Sequence, residues 1–390
     1  MEIRDTYLPF GRPDFGDAEI AAVAAVMRSG WVGMGQETIA FERELADAVG
    51  APHVVTVSSC TSALFLSLLA LGIEPGDEVI CPSLTWCSTA SVAVHLGARP
   101  VFCDVAPDTL VLSPETVRPH LTPRTRAVIA VHMGGLAVDV AALRAALPAH
   151  VAIVEDAAHA LGAAYPDGTP VGGSGNPTCF SFYANKNLST GEGGAIALAD
   201  PAMADRLRSL RQHGLPVDAW RRFTTPHVLA ALQVQEIGYK ANFTDLQAAI
   251  GRVQLRRQTA FAVRRLAVAR HYADRLAGAP LALGLQARVL HPGHARHLFV
   301  VRLPLEAMGT TRDAVLLELR RRNVGASIHY PPLHRMPAFG SRAALPYTER
   351  LSTRILTLPI SASMDVADAE YVAGHLLEVL AAARHERMAS

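Results

Sequence analysis

An α/β fold is predicted: a large, mostly parallel sheet between helices, joined to a smaller C-terminal α+β unit. Three observations point there. From residue 53 onward, apolar β-rich runs alternate with helical patterns, the rhythm of strand–helix–strand units. The runs are nearly continuous rather than alternating, as in strands buried on both faces. The chain has 390 residues and half of them are hydrophobic, enough for two units sharing an extensive core.

Residues 8–50 open on Leu8-Pro9-Phe10-Gly11-Arg12-Pro13. They carry two helices, over Asp17–Arg28 and Glu37–Val49, parted by Ser29-Gly30-Trp31-Val32-Gly33. Strands are expected at 53–57, 78–82, 99–103, 126–131, 151–155, 178–182 and 194–199, seven in all. The helical patterns between and after them fall at 61–72, 86–96, 113–120, 138–146 and 201–212. Gly238–Asp245 interrupts the rhythm, and an arginine-rich helix from 245 to 276 follows. The chain is divided inside that helix: residues 1–255 form an N-terminal segment and the large unit, 256–390 the small one. In the small unit, strands are expected near 297–303 and 325–328, and helices near 311–321 and 366–383. Gly-Pro-rich connections fall at 279–293 and 331–347.

Composition narrows the function classes. A net charge of +1 points to neither nucleic acid nor an anionic membrane as partner. Charged residues interrupt every apolar run, so no transmembrane span is expected. The start Met1-Glu2-Ile3-Arg4-Asp5 lacks the basic-then-apolar layout of a signal peptide, and a cytoplasmic location is expected. The arginines at 252, 256, 257, 264 and 265 have helical spacing and read as a solvated face. Cysteines 60, 81, 87, 103 and 179 sit in or beside apolar segments without a Cys-x-x-Cys pair, so they read as buried free thiols. The histidines are scattered, and no metal site is expected.

The stretch Phe180–Gly194 carries the strongest chemical signal. An apolar strand reaches Phe182 and gives way to Lys186 between two asparagines, followed by small residues and glycines. Of 36 basic residues only Lys186 and Lys240 are lysines, so this chain does not use lysine for surface charge. Lysine is the basic side chain whose amine can be deprotonated and condensed with an aldehyde; arginine cannot do this.

Two other strand ends add to it. Val57-Ser58-Ser59-Cys60-Thr61-Ser62 runs from strand straight into helix, where free N–H groups and the dipole suit an anion. Thr61 and Ser62 add hydroxyl donors, although a Ser or Thr there also serves as a plain helix cap. Past the strand at 151–155 come Glu155-Asp156-Ala157-Ala158-His159. A buried acid there stays ionised only beside a cation, such as a protonated pyridine nitrogen, or else it caps the next turn. Trp86 offers an aromatic face or packs in the core. A phosphate grip, a lone carboxylate and a lone amine at three strand ends together suggest pyridoxal 5'-phosphate.

These segments resemble the DegT/DnrJ/EryC1/StrS family of fold-type-I, pyridoxal-phosphate-dependent sugar aminotransferases. The likeness runs through Ser29-Gly30-Trp31, Pro75-Gly76-Asp77-Glu78-Val79, Thr85-Trp86, Glu155–His159 and Phe180–Gly194. It continues through Thr244–Ala249, His329-Tyr330-Pro331-Pro332-Leu333-His334 and Leu356–Pro359. The resemblance implies Lys186 as the lysine that joins the cofactor and shuttles protons, and Asp156 as the partner of its ring nitrogen. By the same resemblance His159 lies near the cofactor's 3-hydroxyl, Trp86 stacks on the ring, and Thr61, Ser62 and Ser181 hold the phosphate. Asn242 matches a position supplied by the neighbouring subunit, which implies a homodimer with shared sites. Trp31, His329 and Tyr330 fall on loops expected to meet substrate.

Cys60 departs from the family's usual glycine or alanine, and Lys240 and Asn242 replace the Asn-x-Arg of many members. His132-Met133-Gly134-Gly135 and Lys240–Asp245 resemble the branch that aminates nucleotide-linked 4-keto-6-deoxy sugars, with glutamate as the expected amino donor. The same chemistry would serve a keto-cyclitol. A dehydratase branch has histidine in place of the lysine, which Lys186 argues against. A non-catalytic sensor on the same fold is the reading from a different class.

Overall fold

The computed structural model describes residues 1–216, 220, 224, 233–234 and 236–389. Its centre is a seven-stranded sheet of β1 (His53–Val57), β2 (Glu78–Pro82), β3 (Arg99–Cys103), β4 (Thr125–Val131), β5 (Ala152–Asp156), β6 (Thr178–Ser181) and β7 (Gly194–Leu198). The order across the sheet is β1-β7-β6-β5-β4-β2-β3. β7 alone runs against its neighbours, antiparallel to both β1 and β6, while every other pairing is parallel. All seven expected strands are present, within a residue or so of the boundaries read from the apolar runs. One apolar cluster packs on each face, with Ile80, Val128 and Ile153 on one side and Val79, Ile129 and Val154 on the other. That alternation explains why the strands look uniformly apolar: both sets of side chains are buried.

The reversal of β7 shapes the site. Ser181 pairs with Gly194, so the Lys186 stretch is the loop between two antiparallel neighbours and hangs at the carboxyl end of β6. Phe182 and Leu188 are fully buried and pin the loop from below. β7 enters hard against the start of the Cys60–Ala70 helix. A side chain at Gly194 would put its Cβ 2.5 Å from the Ser59 carbonyl carbon, so only glycine lets the two backbones meet there.

The second sheet is smaller, ordered β10-β9-β8, from β8 (Gly284–Leu285), β9 (Phe299–Arg302) and β10 (Ile355–Leu358). It corrects the sequence reading in two places. The strand expected at 325–328 is absent, and Val324 and Ser327 make single bridges, to Leu8 and Thr357. The third strand is instead β10, and a helix over Pro346–Ser352 begins inside the stretch read as a Gly-Pro-rich connection. Residues 1–8 lie across this unit: the Met1 amine meets Glu378 at 2.5 Å, Arg4 meets Asp368 at 2.9 Å, and Leu8 joins its apolar cluster.

The helix expected to run unbroken from 245 to 276 is two helices, Asp245–Arg256 and Gln258–Ala277, meeting at Arg257. That junction adjoins the division placed at 255/256. The arginine cluster is only partly a solvated face: Arg256 and Arg264 are exposed, whereas the other three are half-buried or buried. Arg252 pairs with Glu37 and Glu44, Arg257 with Asp14 and Glu19, and Arg264 with Asp14, while Arg265 is buried. Arg252, Arg257 and Arg264 dock the helix pair against the N-terminal segment, whereas Arg265 donates to the Arg296 and Ile360 carbonyls, and an apolar stripe alone does not reveal these contacts. The five cysteines are free, but Cys60 and Cys87 are only half-buried. Among the described residues no helix is long and apolar enough to cross a membrane.

Candidate active site

The carboxyl ends of β4, β5 and β6 and the starts of two helices, Cys60–Ala70 and Ser88–His95, surround one cavity of about 480 Å³. Of the residues proposed from sequence, Lys186, Asp156, His159, Trp86, Thr61, Ser181, His329 and Tyr330 all line it. They come from segments up to 269 positions apart (Thr61 to Tyr330), gathered by the strand ends and the small unit.

Asp156 is the last residue of β5 and is only 5% exposed. Its Oδ2 accepts a hydrogen bond from Thr89 Oγ1 at 2.8 Å, and Oδ1 accepts from the Ala158 N–H at 3.2 Å. The Cys60 thiol lies 3.9 Å from Oδ1. No cationic side chain among the described residues stands within ion-pair distance of this buried carboxylate. Glu155, its neighbour on the strand, points to the opposite face, as alternation requires. There it accepts from His132 at 2.8 Å, Tyr165 at 2.6 Å, Ser174 at 2.5 Å and Asn176 at 2.9 Å. Burial pushes the Glu155 carboxyl up, but those donors outweigh it and hold it below the usual carboxylate range.

Lys186 is held by its own turn, its N–H donating to the Tyr183 carbonyl at 2.9 Å. Burial pulls its amine down to about 8, with Asp156 among the groups opposing the shift. The Nζ lies 3.5 Å from Nε2 of His297, a pocket residue that no sequence signal singled out. His297 opens the apolar run of β9, but nothing in the chain ties it to a lysine 111 positions earlier. His159 accepts the Gly134 N–H at Nδ1, at 3.3 Å, and its Nε2 meets the Tyr330 hydroxyl at 3.1 Å. It sits in a tight turn after β5.

Trp86 is not packed in the core. The Ser88–His95 helix starts two residues later than expected, leaving Trp86 in the turn before it, 60% exposed on the cavity wall. Thr61 is exposed to the cavity, whereas Ser62 is not among its lining. Ser59 is the helix cap, and its Oγ takes the Ser62 N–H at 3.0 Å. Trp31 and Asn242 also lie outside this lining. Trp31 borders a separate cavity of about 610 Å³ with Trp220, and Asn242 donates to the Phe243 carbonyl at 3.3 Å.

The family model of the DegT/DnrJ/EryC1/StrS aminotransferases matches residues 13–377. The chain belongs to this family. Solved structures agree. TlmJ, an aminotransferase from Streptoalloteichus hindustanus, is 36% identical, with a TM-score of 0.87 over 98% of this chain and 99% of its own. DesV of S. venezuelae is 34% identical, with a TM-score of 0.83 over 96% of this chain and 99% of its own. Spr1654 of Streptococcus pneumoniae, assigned as a sugar aminotransferase and solved in its PMP form, is 29% identical. It superposes with a TM-score of 0.88 over 98% of this chain and 100% of its own.

The protein is thus an aminotransferase on the fold-type-I architecture, and the family's cofactor is pyridoxal 5'-phosphate. The aminotransferase pocket fits that group. A buried carboxylate without a cation suits a protonated ring nitrogen, and a buried amine shifted toward neutrality suits an aldehyde. A helix N-terminus carrying Thr61 suits a phosphate, and the bare Trp86 ring suits a planar heterocycle.

Proposed function

We propose that this aminotransferase moves the amino group of L-glutamate onto a nucleotide-linked 4-keto-6-deoxy sugar, giving an amino sugar. The observation that carries the transfer chemistry is the juxtaposition of Lys186 and Asp156 in one cavity with no cation paired to the acid among the described residues. Asp156 and Trp86 would hold the cofactor ring, and Thr61 and Ser181 its phosphate. Bound pyridoxal phosphate supplies a carbonyl for amine exchange and a conjugated ring that absorbs the electrons of a breaking Cα–H bond.

The protein's own part is proton handling. Lys186 Nζ must be unprotonated to take the donor's α-proton. An amine with pKa near 8 is roughly one-tenth free base at pH 7, against well under a thousandth for an ordinary lysine. The same Nζ later returns the proton, so one group serves as base and acid. Asp156, kept in place by Thr89 and the Ala158 N–H, would hold a proton-bearing ring nitrogen by its charge. His159 has its Nδ1 taken by the Gly134 N–H, and burial keeps its imidazole neutral, which leaves Nε2 as its donor.

The sugar reading draws on the relatives, Spr1654 among them, and on the His132–Gly135 and Lys240–Asp245 segments. A keto-cyclitol is the second reading, and one observation favours it. No arginine lines the cavity among the described residues, whereas a diphosphate calls for arginine or backbone N–H donors. The test is to load the protein with pyridoxamine phosphate and offer nucleotide-linked 3-keto and 4-keto sugars and keto-cyclitols. An amino sugar nucleotide detected by mass supports the proposal, and turnover of the cyclitol alone rejects it.

We also propose a cytoplasmic homodimer with shared sites. The free thiols support the compartment. Trp86 and Tyr183, 60% and 47% exposed at the cavity, support a pocket closed by a second chain. Lys186→Ala mixed with an inactive Asn242 variant should regain activity through hybrid dimers. Hybrids that form and stay inactive would place Asn242 in its own subunit's chemistry.

A further inference from the structure

We propose that His297 and Asn187 are a positioning pair for Lys186: Asn187 fixes the His297 ring so that its bare Nε2 faces the lysine amine. The argument starts at the amide. Asn187 Nδ2 donates to the Ala295 carbonyl at 2.9 Å and to the Leu161 carbonyl at 3.4 Å. The opposite amide orientation would set an oxygen against two carbonyl oxygens, so Oδ1 must be the atom facing His297. Oδ1 lies 3.3 Å from His297 Nδ1. As an acceptor it requires the proton on Nδ1, which leaves Nε2 with its lone pair, 3.5 Å from Lys186 Nζ.

The surroundings hold the ring in this position. His297 is 2% exposed, and its ring stacks on His159 with centroids 4.5 Å apart and planes at 29°. The His297 and Leu298 N–H groups both donate to the Gly134 carbonyl, at 3.0 and 3.1 Å. Gly134 in turn offers its own N–H to His159. The His132–Gly135 segment thus buttresses the histidine stack from behind and does not touch the cavity. Burial, with the Lys186 charge next, pushes His297 well below the ordinary histidine range, so it accepts rather than carries a proton. The other groups facing Nζ are Asp156, Cys60, His159 and His329.

The 3.5 Å separation is at the outer limit of a hydrogen bond, and the lysine stem has staggered rotamers through which Nζ can approach Nε2. His297 therefore gives the amine a fixed resting place whenever it is not joined to the cofactor, and it stabilises the ammonium form that must later give its proton back. This role holds whatever the acceptor substrate is.

The lysine count makes the test direct. Cofactor-free, full-length protein labelled at lysine Cε and Nζ gives two side-chain signals, and Lys186→Ala identifies which belongs to Lys186. Removing the acceptor with His297→Phe should lower the Lys186 midpoint by about one pH unit, the worth of a hydrogen bond to a charged group. Asn187→Ala frees Nδ1 and lets the ring proton move to Nε2, so the midpoint should fall in the same direction although His297 is intact. His297→Gln, with a carbonyl in reach of Nζ, should restore most of the shift. A midpoint unmoved in both His297→Phe and Asn187→Ala overturns the proposal, as does an equal fall in His297→Gln. Should His297→Phe not fold, Asn187→Ala alone decides: a fall supports the pair, and no change rejects it.

Discussion

The two faces of the sheet at the end of β5 hold adjacent carboxylates in opposite circumstances. Behind the sheet, Glu155 is fully buried and accepts from four side-chain donors. In front, Asp156 has two hydrogen bonds at 3.2 Å or less and an open cavity before it. From strand position alone the two are interchangeable, each an acid at a strand end, and only the family resemblance favours Asp156. The structure separates them by what remains unsatisfied. A carboxylate whose lone pairs are all taken is part of the fold. One that keeps capacity toward a cavity, with an amine and an aromatic face beside it, is available to a ligand.

The largest way to break this comparison lies on the front face. Lys186→Ala should cut transamination by on the order of 10⁴-fold, the upper range for losing a positioned acid–base group. It should also stop deuterium exchange at the donor's α-carbon, while cofactor in its pyridoxamine form still binds. Exchange surviving in the variant would show that another base takes the proton. The next effect is Asp156→Asn, which keeps the shape and the Thr89 contact but removes the charge. Turnover should fall by roughly 10²-fold or more, with unfolding temperature little changed. Turnover close to wild type would move the ring-nitrogen role to another acid.

The same contrast explains what could be read in the chain. The large sheet was legible because its strands are buried on both faces, so each shows as an unbroken apolar run with a helical pattern after it. That Lys186, Asp156 and Trp86 meet at one cavity was legible because strand ends are where such folds expose chemistry. Less could be read in the small unit. β8 is two residues long, and β10 has no turn chemistry to announce it. The break at Arg257 has no glycine or proline to mark it, and Arg252 and Arg257 turn toward the N-terminal segment because acids from residues 14–44 receive them. His297 was missed for a related reason. Its role depends on an amide and a lysine brought to it by the fold, and no local spacing encodes that.

The smallest effect on activity, and the sharpest on stability, should come from Glu155→Gln. His132 Nδ1 accepts the Val138 N–H at 2.9 Å, so its proton is on Nε2 and points at Glu155. Tyr165, Ser174 and Asn176 also donate, so all four partners are donors. A glutamine would turn an NH₂ toward at least one of them and leave it unmet in a dry site. The cost should be about 2–4 kcal/mol at pH 7, read from chemical unfolding. Turnover of the folded variant should stay within about threefold of wild type, since the residue touches nothing in the cavity. The pH dependence follows from the direction of the shift. Because the folded carboxyl sits below its unfolded value of 4.5, its stabilisation is present above pH 4.5 and is lost as pH falls through the folded value. The gap between wild type and Glu155→Gln should therefore narrow in acid. A variant that kept its stability and lost its turnover would reverse the assignment of the two faces.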